Sequence, residues 1–188
     1  MKLTLRKANA LQNAIQEQVK EIAVTMTVSL NEFQNATVAL TTARDTLVKN
    51  DVRRTALTKV LYKIRAQVGR ANVESGVADL LTDAAYIDKR LGHLKGLTES
   101  KVVEDSALIE GKLEKIRTAE KSTRMYGYGD TVDTGVLTAE QIEGYKAEMR
   151  DLKKQKQSIN DRVLELNVRT EIELSAETVS VLTTESLV

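Results

Sequence analysis

The chain has 188 residues with no cysteine, proline or tryptophan, and 28 basic against 27 acidic residues leave a formal charge of +1. That composition excludes disulfides, thiolate metal sites and cysteine nucleophiles, and gives no global attraction to phosphate backbones or anionic lipid, so neither nucleic acid nor membrane is an expected partner. With aromatics at 3% and a single Phe33, the core must come from Leu, Ile, Val, Ala and Met, and the absence of proline suits long uninterrupted helices.

The opening Met1-Lys2-Leu3-Thr4-Leu5-Arg6-Lys7 lacks the apolar middle of a secretory signal. No stretch approaches the ~20 apolar residues needed to cross a bilayer, so a soluble protein made inside a cell is expected. A first helix is predicted from about Lys2 to the low twenties, because Leu11, Ile15, Val19 and Ile22 recur on one face. Residues 25–30, Thr-Met-Thr-Val-Ser-Leu, alternate polar and apolar as a strand would, while Met26, Leu30 and Phe33 also continue the helical stripe. The strand reading is preferred, as a small β-hairpin inserted over about 24–42 with its turn at 31–35.

Helical spacing resumes by Leu40 and is clear in Leu57, Leu61, Ile64 and Val68, ending near Gly69 to Gly76. A third helix is predicted from about Thr82 through Ile87, Leu91, Leu94, Val102, Ile109, Leu113 and Ile116 to Lys121, with a bend or break possible at 98–100. Residues 125–135 carry three Gly, two Asp and two Tyr without a helical stripe and read as an exposed connection.

The final helix is signalled to begin at Thr138. Its hydroxyl can cap, Gln141 sits where a capping box returns its hydrogen bond, and Leu137 with Ile142 form a hydrophobic staple. Along this helix Ile142, Tyr145, Met149, Leu152, Lys156, Ile159, Val163 and Leu166 follow at alternating steps of three and four, an apolar seam for packing or for oligomer contacts. Lys156 interrupts the seam, either fixing register at some cost or snorkelling to its edge. After Arg169 the chain is acidic and alternates again in Glu171-Ile172-Glu173-Leu174 and Thr178-Val179-Ser180-Val181. Residues 175–188 are therefore expected as a strand-like tail, either frayed or an arm that adds a strand to a neighbour.

Candidate chemistry fares poorly. His93 is the only histidine, so a zinc site of several histidines is impossible and a triad has no supporting nucleophile elbow. Gly127-Tyr128-Gly129-Asp130 lacks the Gly-Lys-Ser/Thr of a phosphate loop, and residues 130–135 place Val132 and Thr134 where calcium needs carboxylates, with Gln141 in place of the bidentate Glu. Glu17 with Glu21 and Glu110 with Glu114 have the one-turn spacing of magnesium carboxylates but no matching second cluster. Lys153, Lys154 and Lys156 are flanked by Glu148, Asp151 and Asp161 and carry no interleaved aromatic for base stacking. Gly92 and Gly96, one turn apart, would allow a close helix crossing.

Several segments resemble the septicolysin-like family of small bacterial and phage proteins. They are Met1-Lys2-Leu3, Arg70-Ala71-Asn72, Leu80-Leu81-Thr82-Asp83-Ala84, Arg90, Arg124-Met125-Tyr126, Thr131-Val132-Asp133, Ile159 and Leu166-Asn167-Val168-Arg169-Thr170-Glu171. The resemblance covers roughly residues 61–174 with the first helix, and departs from the family at Val168, where a Trp is usual. It implies a helical, homo-oligomeric protein, with a hexamer as the suggested assembly and no established activity.

The expected fold is therefore mainly α, an antiparallel bundle of long helices with coiled-coil-like seams. One helical domain over 1–174 and a tail over 175–188 make up the chain. The expected role is that of a non-enzymatic, homo-oligomeric assembly protein with no cofactor, metal or small-molecule substrate. Its partners would be further copies and other virion proteins, in a phage collar, whisker or decoration if phage-encoded and otherwise in the cytoplasm. The alternative is an intracellular bacterial scaffold or adaptor for a partner protein.

Overall fold

The computed structural model describes residues 1–118 and 131–188, and among these the chain is mainly helical with one small antiparallel sheet. The elements run β1 (Lys2–Thr4), α1 (Leu5–Glu21), α2 (Ala36–Glu74), α3 (Val77–Thr98), α4 (Ser106–Thr118), α5 (Ala139–Arg169), β2 (Glu171–Glu173) and α6 (Ala176–Thr184). They form two compact units, Met1–Leu81 with Asp161–Val188, and Thr82–Asn160; α3 and α5 contribute to both. The loop Gly127-Tyr128-Gly129-Asp130, part of the connection over 125–135 and the expected helix end at Lys121 lie outside the described residues.

In the first unit the Thr4 hydroxyl caps α1 by accepting from the Lys7 amide at 3.3 Å, and Leu5, Ala8, Leu11 and Ile15 bury one face. That face meets Leu57, Val60, Leu61, Ile64, Val68 and Ala71 of α2 in one continuous core. Helix α2 runs on past Gly69 and ends at Ser75 and Gly76, where a φ of +77° reverses the chain straight into α3 at the buried Val77. The third helix thus starts five residues before the expected Thr82.

The two strands join the ends of the chain: Leu3 pairs with Ile172, flanked by hydrogen bonds from the Leu5 amide to the Thr170 carbonyl and from the Leu174 amide to the Met1 carbonyl, both 2.9 Å. Ile172 is buried between exposed Glu171 and Glu173, so the alternation read in this segment is real for three residues.

Two expectations for this unit are corrected. No strand lies within 24–42: the chain turns at Asn31 and Gln34, where the Gln34 amide donates to the Asn31 carbonyl at 3.2 Å, but the limb beyond is the start of α2. Asn35 caps that helix through its Oδ1, 3.2 Å from the Val38 amide, and the alanine-rich run behind it favours helix over strand. Nor is the tail over 175–188 strand-like. Ser175 caps α6, its Oγ accepting from the Thr178 amide at 3.3 Å, and Thr178 and Leu182 bury one face of a helix at a spacing of four.

In the second unit the α3 segment and the α5 segment run antiparallel, as the side-chain pairs Thr98 with Met149, Arg90 with Glu148 and Asp88 with Lys156 require. Ile87, Leu94 and Ile142 are its fully buried apolar residues among those described. The chain breaks after Thr98, as the sequence allowed, and α4 restarts at Ser106 behind Asp105, whose Oδ1 accepts from the Ala107 amide at 2.8 Å. Gly135 lies against the Lys101 carbonyl so closely that no side chain fits there. Val102 bridges Leu137 beside it.

Candidate functional site

The start of α5 forms as its sequence specifies: the Thr138 amide donates to Gln141 Oε1 at 2.9 Å and the Gln141 amide to Thr138 Oγ1 at 3.2 Å. The seam follows from that fixed phase. Ile142 is buried, and Tyr145, Met149, Leu152, Lys156, Ile159, Val163 and Leu166 are all half-buried while most side chains between them face water. Val163 and Leu166 pack on the core of the first unit. The upper seam lies along α3, where Arg90 grips Glu148 with two hydrogen bonds of 2.7 and 2.9 Å. Lys156 leaves the seam to pair with Asp88, so its charge is met within the chain. The seam is thus covered in good part by the chain's own helices.

Of the candidate metal and proton-transfer groups, Glu17, Glu110, Glu114 and His93 are engaged in ordinary surface contacts. Glu17 holds Lys20 at 2.7 Å, and Glu110 and Glu114 share Arg117 at 2.7 and 3.2 Å. His93 is exposed beside Arg90. The Thr134 hydroxyl accepts from the Glu104 amide and Gln141 serves the cap, so two positions of the calcium-like loop are committed to structure. Among the described residues no group of three potential metal ligands gathers. No described helix is long and apolar enough to cross a membrane.

Two surfaces of the first unit stand out. A groove of about 430 Å³ lies between α2 and α6, lined by Val52, Thr55, Val60, Thr178 and Val181 with Lys59, Lys63 and Glu177 at its polar side. Lys63 donates to Glu177 at 2.7 Å, and that hydrogen bond, with the positive charges of Lys63 and Lys59, holds the Glu177 carboxyl below its ordinary range. Beyond the groove, Arg53 holds Glu185 at the end of α6; the Glu185 side chain is only 8% exposed.

The second surface is an arm made by residues 23–50. Asn50 Nδ2 donates to the Ala23 carbonyl at 2.8 Å, while the turn at 31–34 sits at the far end beside the first residue of α2. Fourteen helical steps of α2 span about 21 Å, so the eight steps from residue 23 to 31 advance about 2.6 Å each, well beyond helical rise though short of a full strand. Thr25, Thr27 and Val28 lie over Ala43 and Leu47 in a shallow hollow. Much of the rest is bare: Met26 is 84% and Phe33 90% exposed, and Val38, Leu40 and Val48 are each more than half exposed. Only Glu32, Arg44, Asp45 and Lys49 carry charge within this arm.

Sequence reasoning placed a packing or oligomer seam on α5 and did not single out the exposed arm. Periodicity finds an apolar face without saying whether the chain covers it itself. The usable signal was the scarcity of charge between residues 23 and 50 in a chain that is 29% charged. Compared with family models, curated proteins and solved structures, the chain matches none.

Proposed function

We propose that the protein is a non-enzymatic structural unit that assembles with copies of itself, as a component of a phage particle such as a collar, whisker or decoration. The observation that carries the reading is the arm: the first unit closes a well-covered core yet leaves Met26, Phe33, Val38, Leu40 and Val48 in water on one projection. Exposed apolar patches of this kind, on an otherwise charged surface, are normally covered by a partner. Glu17, Glu110, Glu114 and Lys156 are instead spent on ion pairs and Gln141 on a cap, which supports a structural role.

The virion placement leans on the resemblance to septicolysin-like proteins and is part of the proposal. It is tested by looking for this chain, by mass spectrometry, among the proteins of purified particles. The second reading, an adaptor for another protein, is favoured by the groove between α2 and α6. Light scattering on the intact chain separates the two: a multiple of 20.8 kDa supports self-assembly, and a monomer that gains mass only with another protein favours the adaptor.

A further inference from the structure

The geometry points to the means of self-association, and this step rests on the assembly reading above: residues 24–30 of one copy pair antiparallel with residues 24–30 of a second, closing a two-stranded sheet about a twofold axis. Three observations on this segment converge. It is drawn out along α2 by its anchors at Ala23 and at the Asn31 turn, so strand pairing would not first have to unwind a helix. Among the described residues its amides and carbonyls, from Val24 to Leu30, make no backbone hydrogen bond, whereas a neighbouring chain could satisfy them. Its side chains, Thr-Met-Thr-Val-Ser-Leu with Val24 before them, have the alternation and branching that strands favour.

The occupant follows from charge and register. Residues 24–30 carry no charge, and the whole arm has two charges of each sign, so an identical copy meets no like-charge barrier while a strongly charged partner gains nothing. Antiparallel pairing of residues 24–30 with themselves in full overlap sets every apolar residue opposite an apolar one: Val24 faces Leu30, Met26 faces Val28, Thr25 faces Ser29, and Thr27 faces Thr27 across the axis. A slip by one residue would set Val28 against a threonine. The contact is isologous, so it closes as a pair and leaves the rest of the molecule free for further contacts.

The absence of natural cysteine makes the test direct. Thr27→Cys places one thiol at the twofold axis, within disulfide reach of its counterpart. Under mild oxidation it is expected to give a covalent dimer, while Val73→Cys, also exposed but off the arm, stays single. Amide exchange at residues 24–30 is expected to slow at least roughly tenfold as protein concentration rises. The double variant Thr27→Pro with Val28→Pro removes donors from both edges of the segment and is expected to lose the paired form, with unchanged helical circular dichroism showing that the fold persists.

If the double variant keeps the native mass, or Thr27→Cys stays unlinked in a chain that does associate, the arm pairing is wrong and assembly through another surface stands. A wild-type chain that remains single at every concentration overturns both the pairing and the assembly reading. Protection of 24–30 that arises only on adding a different protein overturns the choice of a second copy.

Discussion

Ile64 lies at the centre of the first unit with no exposed surface, on the part of α2 that α1 covers. Ile64→Ala removes three buried carbons, worth about 2.4 kcal/mol at ~0.8 kcal/mol each. A residual cavity of about 40 Å³ would add about 1 kcal/mol, for a total near 3–4 kcal/mol. Against a domain stability of roughly 5–15 kcal/mol that is a large fraction, so the urea midpoint read by circular dichroism should fall sharply with little change in slope. Val73→Ala, on the same helix but exposed, should cost under about 0.5 kcal/mol. An Ile64→Ala cost below about 1 kcal/mol would refute the placement of this residue in a closed core.

Further outcomes follow from local geometry. Thr138→Ala breaks the capping box and should cost about 1 kcal/mol, read as faster amide exchange in the first turn of α5 and a lower urea midpoint. Gly135→Ala forces a Cβ into the Lys101 backbone and should destabilise the second unit, seen as a lower thermal midpoint. Arg53→Met leaves the nearly buried Glu185 carboxylate without its cation and should loosen α6, measured by amide exchange over Ala176–Thr184. The Arg90 hydrogen bond holds the Glu148 carboxyl below its ordinary value of 4.5. A depressed folded value stabilises above the ordinary one and is lost as pH falls through the depressed one, so Glu148→Gln should flatten the acid limb of a stability-against-pH curve and leave its neutral limb parallel to the native one.

How much of this was written locally in the sequence varies by element. The start of α5 and the phase of its seam were legible because a capping box is complete within four residues and a stripe repeats within two turns. The break after Thr98 and the strand character of residues 171–173 were legible for the same reason. The tail beyond Ser175 misled because Thr178, Val179, Val181 and Leu182 satisfy both a period of two and a spacing of three to four; the contact with α2 decides between them, and that contact lies more than a hundred residues away. Pairing of Leu3 with Ile172 is likewise non-local and leaves no trace in either segment alone.

Residues 23–35 show a different limit. Their strand signal was sound in composition, but a strand needs a partner, and within one chain the second limb of the turn is claimed by the Asn35 cap and the helix behind it. The surface that matters for the proposed role is therefore one where local preference and single-chain structure disagree, and a second copy would reconcile them.

The most direct measurement is the solution mass of the intact wild-type chain by multi-angle light scattering over roughly a hundredfold range of concentration. Mass rising from 20.8 kDa to twice that value or a higher multiple is the expected result. A mass fixed at 20.8 kDa across the whole range, with the helical signal intact, would contradict the account.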